Sequence, residues 1–236
     1  IVESCDVYYY QMGNRMGIDT IAKFANFFGL GMRTGLPLAS EKPGLIPSTT
    51  WKQRVLKQPW YAGETLSVSI GQGYVLVTPL QMAAMISAVA NEGTLYTPKL
   101  VWKSRSRQTG RYQTASTPKE KKLPISPETF GILKSALADV VGTPGGTAFG
   151  SRSALIPFAG KTGTAQVVAM KQGNIKTKLT KETNDHAWFV SYAPVEKPKI
   201  AVVVLVENGG HGGSTAAPLA KRLIEAYLAP QVQPSL

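Results

Sequence analysis

The chain has 236 residues, 43% of them hydrophobic, and a formal net charge of +12. That length buries a substantial core, as one large domain or two small ones. Its longest purely aliphatic run, Ile200–Val206, is far too short to cross a bilayer, and its first residues lack the basic lead of a signal peptide.

Taken in chain order, residues 4–16 read as a helix with Ser4 or Asp6 as its cap. Asp19 caps a second, with Ile21, Phe24, Ala25 and Phe28 inward and Gly29 as its stop. Thr78-Pro79-Leu80-Gln81 is a capping box with proline at the first helical position; Met82, Met85, Ile86 and Val89 follow, and Gly93 ends the helix. The stretch 99–122 carries Lys99, Lys103, Arg105, Arg107, Arg111, Lys119, Lys121 and Lys122 against one acid, Glu120. It reads as a solvated loop, or more sharply as a contact for an anionic partner. No helix-turn-helix, zinc finger or aromatic-studded RNA-binding strand accompanies it, so no nucleic acid partner is expected. Ser126-Pro127 opens another helix, with Phe130, Leu133, Leu137 and Val141 on one face and an Ile125–Phe130 staple.

The last third changes character. Residues 161–169, 186–193 and 199–207 are β-branched and aromatic, as strands are, and 170–185 is a polar hairpin connection. Residues 214–228 form an amphipathic helix carrying Leu219, Leu223, Ile224 and Tyr227. The strands follow too closely for helical crossovers, so the sheet is antiparallel. The pattern is α+β, a central antiparallel sheet flanked by helices, in one domain.

Few stretches can carry chemistry. The run "NGGHGGS", Asn208–Ser214, lacks the Lys-Ser/Thr pair of a phosphate loop and reads as a turn where two backbones approach closely. "IGQGY", Ile70–Tyr74, is too short for a dinucleotide fingerprint. His186 and His211 are the only histidines, no G-x-S-x-G elbow exists, and Asp185-His186 reads as a structural turn. A single cysteine, Cys5, excludes internal disulfides; it reads as a plain small residue, or as a metal ligand with partners upstream of residue 1. No cofactor is called for.

Lys161 stands apart. Gly160 and Gly163 flank it, with Thr162 and Thr164 alongside. One short strand thus offers a cation, two hydroxyls and accessible backbone N–H groups. Two unit charges about 4 Å apart at an effective dielectric near 20 gain roughly 4 kcal/mol. The segment therefore suits a substrate carboxylate. Its edge could pair with an extended peptide and donate an N–H to a developing oxyanion.

Lys161-Thr162-Gly163-Thr164 resembles the K-T-G motif of penicillin-binding proteins and serine β-lactamases, and Ser4-Cys5-Asp6 resembles their middle S-x-N motif in its S-x-D form. "SCDVYYYQMGNRMGID", "PWYAGETLSVSIGQGYVLVTPLQMA", "GKTGTAQV", "DHAWFVSYAP" and "VENGGHGG" extend the likeness over nearly the whole chain. They are similar to the transpeptidase domain of elongation-type class B penicillin-binding proteins of Gram-negative bacteria. The resemblance implies the β-lactamase/transpeptidase fold and a peptidoglycan D,D-transpeptidase that shapes the cell wall and is acylated by β-lactams. It implies that Ser4 relays protons with Lys161, that Asp6 contacts the substrate amide or orients the site lysine, and that Cys5 lies between them at the substrate. Lys161, Thr162 and Gly163 would bind the substrate or drug carboxylate, and Thr164 N–H would supply half of the oxyanion hole.

One part of the family pattern is missing. The nucleophile belongs to an S-x-x-K motif ahead of the other two. The one match here, Ser116-Thr117-Pro118-Lys119, comes in the wrong order, within a basic polar loop. Such a match is expected about once by chance, and it is rejected as the nucleophile. The chain, residues 1–236, is therefore expected to be the C-terminal part of a transpeptidase domain, incomplete at its N-terminal side. The attacking serine, a pedestal and a membrane anchor would lie upstream. The same likeness implies an inner-membrane protein with a periplasmic catalytic domain, working on peptidoglycan stem peptides beside a membrane glycosyltransferase and other elongation proteins. A D,D-carboxypeptidase, a β-lactamase, a drug sensor and a non-catalytic module are the alternatives.

Overall fold

The computed structural model describes residues 1–167 and 184–232. At its centre stand three strands, β5 (Ala159–Ala165), β6 (His186–Ala193) and β7 (Ile200–Val206), in spatial order 5-6-7 and antiparallel throughout. The register places Lys161 opposite Val190 and Thr164 opposite Ala187. The first strand begins two residues before Lys161. The hairpin connection expected over 170–185 falls mostly outside the described residues.

Both faces of the sheet are buried, and the two-residue period of a strand sorts side chains between two clusters. Ala187, Phe189, Ala193 and Val202 pack on α7 (Ala217–Val232). Val190 and Tyr192 face α5 (Pro79–Ala90) and α6 (Pro127–Gly142). The cap signals hold for both of these helices. Thr78 and Gln81 form the reciprocal box, and Ser126 Oγ accepts from Thr129 N at 3.2 Å. Ile125 and Phe130 share one apolar cluster.

Three expectations need correction. The first helix, α1, runs Asp6–Met16 with Cys5 as its N-cap, so neither Ser4 nor Asp6 caps it. In α2 (Ile18–Phe27) the cap position is Gly17. Asp19 instead accepts from Thr49 N and Oγ1 at 2.9 and 2.7 Å, tying α2 to the start of α3 (Thr49–Leu56). The phase of α2 shifts with it: Ile18 and Ala22 are buried and Phe24 is exposed. In the last helix the inward stripe is Ala217, Ala220, Ile224 and Leu228, while Leu219, Leu223 and Tyr227 are exposed. Alanines let this helix lie close on the sheet, and a preceding π-turn, Gly212–Ala216, sets its phase.

One further α-helix and four short strands complete the longer elements among the described residues. The helix α4 (Ala62–Ser69) packs on α1. The strands β1 (Thr94–Tyr96) and β4 (Glu120–Lys122) pair, as do β2 (Lys103–Arg105) and β3 (Tyr112–Thr114). No described helix is long and apolar enough to cross a membrane.

Candidate active site

An open cleft of about 1250 Å³ runs between the start of α1, the 63–72 segment, β5 and the loop after β7. Ser4, Asp6, Lys161, Thr162, Gly163 and Thr164 all line it. Residues 157 positions apart meet there: Lys161 Nζ donates to Ser4 Oγ. The same ammonium reaches Thr162 O at 3.0 Å and Thr162 Oγ1 at 3.2 Å. Ser4 is held in the left-handed region, at φ 52°, immediately before the helix. That region is unfavourable for a side chain larger than glycine's. The turn brings its hydroxyl to the lysine.

Burial pushes the Lys161 ammonium below its ordinary value, and the Asp6 carboxylate partly restores it. Asp6 occupies the first turn of α1, beside the positive end of that helix. The site therefore pairs a partly desolvated cation with a hydroxyl and a nearby anion. Such a group can hold a carboxylate, and it can pass a proton to or from Ser4.

The cation sits on a sheet edge, because among the described residues β5 pairs with β6 alone. Gln72 marks which backbone groups face outward. Its Nε2 donates to Thr164 O at 2.8 Å, and its Oε1 accepts from Gln166 N at 3.4 Å. In an antiparallel ladder one residue's N–H and C=O point the same way. Thr164 N–H thus turns away from β6 as well.

Close approach of two backbones builds the opposite wall. A Cβ on Gly212 would stand 2.2 Å from Trp188 O and 2.5 Å from Gly163 O. Only glycine fits there, so the turn expected at 208–214 lies against the lysine strand and lines the cleft with His211 and Ser214. His186 is structural: its Nδ1 accepts from Asn208 N at 2.9 Å.

Cys5, expected at the substrate, and Ser116, rejected as the nucleophile, both lie outside the lining of the cleft. Cys5 is exposed, and no group of three or more potential metal ligands exists among the described residues. Ser116 is exposed as well. Sequence reading also missed contributors. Thr147 Oγ1 lies 2.9 Å from Thr162 Oγ1 and adds a third hydroxyl beside the lysine. Gln72 lies in "IGQGY", a stretch whose sequence marks no single site residue, and Tyr9 and Tyr10 lie on the cleft face of α1.

The penicillin-binding protein transpeptidase domain matches residues 1–225 of this chain. With that match, the antiparallel sheet and the paired serine and lysine motifs in one cleft, the chain belongs to this family. Among its relatives, the peptidoglycan D,D-transpeptidase MrdA of Acinetobacter baumannii is 40% identical over 232 residues, covering 97% of this chain and 34% of its own length. Pseudomonas aeruginosa PBP2 in complex with WCK 5153 superposes with a TM-score of 0.80 at 34% identity, over 97% of this chain and 50% of that one. Helicobacter pylori PBP2, solved in complex with MreC, gives 0.79 at 32% identity, over 98% of this chain and 40% of that one. The chain spans about a third of the length of the curated relatives it matches.

Proposed function

We propose that this chain forms two walls of a peptidoglycan D,D-transpeptidase site. The nucleophilic serine and its base would come from sequence outside residues 1–236. The observation that carries the reading is the Lys161 ammonium shared between Ser4 and Thr162 at a free sheet edge.

In this reading a D-Ala-D-Ala stem peptide lies along β5. Its terminal carboxylate meets Lys161 Nζ and the Thr162 hydroxyl, with Thr147 holding Thr162 in place, and Gly163 leaves room for its backbone. The attacking serine adds to the penultimate carbonyl, and Thr164 N–H supports the negative charge that develops on its oxygen. Lys161 and Ser4 pass a proton to the departing D-Ala amine. Asp6 tunes that proton and contacts the substrate amide. The acyl-enzyme then passes to the amine of a neighbouring stem. β-Lactams acylate the same serine through the same carboxylate contact.

The full-length protein would act in the periplasm, anchored by upstream sequence in the inner membrane. The MreC complex of the Helicobacter relative supports an elongation-complex setting, with a membrane glycosyltransferase among the partners. Lys161→Ala tests the site. In the full-length protein it is expected to slow β-lactam acylation by more than about tenfold, because carboxylate and proton-relay electrostatics go together. Stopped-flow acylation with a fluorescent penicillin measures this; an unchanged rate in a folded variant would end the role given to Lys161.

A further inference from the structure

One charged segment plays no part in the cleft. Among the described residues the strands of the β2–β3 hairpin pair only with each other, and all six strand residues are exposed. An isolated two-stranded hairpin is marginal in water. This one is held by its own tip, where Ser106 N donates to Arg111 O at 3.0 Å and Arg105 Nε to Gly110 O at 3.2 Å.

Its surface has a defined chemistry. Residues 99–119 carry six cations and no acid. None of those cations joins an ion pair among the described residues. Trp102 is 77% exposed and Tyr112 69%. Arg105 lies opposite Tyr112 in the ladder, 5.7 Å from its ring centre. Trp102 continues the ladder to Ala115, so alternation turns its ring to the other face. Each face thus offers one aromatic ring, with Thr114 beside one and Ser104 and Gln113 beside the other.

We infer that this arm is a docking site for polymeric peptidoglycan, separate from the catalytic cleft. Aromatic faces are negative and take the C–H edges of sugar rings. The arginines and lysines match the carboxylates of stem peptides. A membrane surface would call for one contiguous apolar face, whereas here the two rings point apart among hydroxyl and amide groups. The inference rests on the transpeptidase reading: the arm would hold the polymer while β5 works on its stems.

The test is co-sedimentation of the full-length protein with purified sacculi, after penicillin has filled the cleft. Wild-type protein should sediment, and less so as NaCl rises from about 50 to about 500 mM. The triple variant Trp102→Ala, Arg105→Glu, Arg107→Glu should lose at least about fivefold of the bound fraction, with its penicillin acylation rate within about twofold of wild type. Equal sedimentation of wild type and variant overturns the arm. So does a loss confined to phosphatidylglycerol vesicles. Absence of acylation in wild-type protein would instead sink the transpeptidase reading, so the two failures are told apart.

Discussion

At the scale of single residues, Ser4 joins an unfavourable backbone to the hydroxyl that meets Lys161. Its left-handed conformation is one that glycine adopts freely, and a side chain there costs about 1 kcal/mol. Ser4→Gly is therefore expected to leave stability unchanged or raise it by up to about 1 kcal/mol. β-Lactam acylation should fall with the lost proton relay. Urea melts and acylation rates on the same preparation check both halves, and a variant that loses stability while keeping activity would reverse the assignment. Strain of this sort is common where function fixes the geometry. Lys161 follows the same logic: burial lowers its proton affinity, which weakens it as a structural cation and suits it to proton transfer.

At the scale of elements, α3 and α4 supply a rigid support for Gln72. Lys52 is buried and donates to both Glu64 carboxylate oxygens, at 2.5 and 2.6 Å. Glu64 also accepts from Tyr61 N at 2.9 Å, capping the start of α4. Burial raises the Glu64 carboxyl, but the Lys52 ammonium and the Tyr61 N–H outweigh it and hold the group below the usual carboxylate range. The sign follows: the folded carboxyl is more acidic than the unfolded one, so its contribution is present above the unfolded value. It fades as pH falls through the folded one, below the ordinary carboxylate range. Lys52→Met leaves Glu64 unpaired, and a loss of about 3 kcal/mol is expected at neutral pH. The loss should shrink as pH falls through that window. Thermal melts across pH 3 to 7, roughly, read it; a deficit that stays constant would show that packing, not charge, is the cause.

At the scale of the whole molecule, cap signals and the two-residue period made α5, α6 and the three-strand sheet legible. Thr78, Ser126 and the apolar runs each act on their own neighbours, so local sequence suffices for them. The phases of α2 and α7 did not emerge, because Asp19 is claimed by Thr49, thirty residues away, and a π-turn rotates α7. The short charged strands β2 and β4 have no apolar alternation to betray them. Motif spacing exposed Ser4, Asp6 and Lys161, and the cleft gathers all three. Thr147 and Gln72 escaped because each acts only through hydrogen bonds to residues distant in the chain, which leave no local pattern.

The central claim is that this chain serves a serine it does not itself contain. Intact-mass spectrometry after penicillin treatment tests it most directly, on the full-length protein and on residues 1–236 side by side. The full-length protein should gain one drug mass, mapping outside residues 1–236, while the shorter chain should gain none. A covalent penicillin on Ser4 or Ser116 would contradict the account.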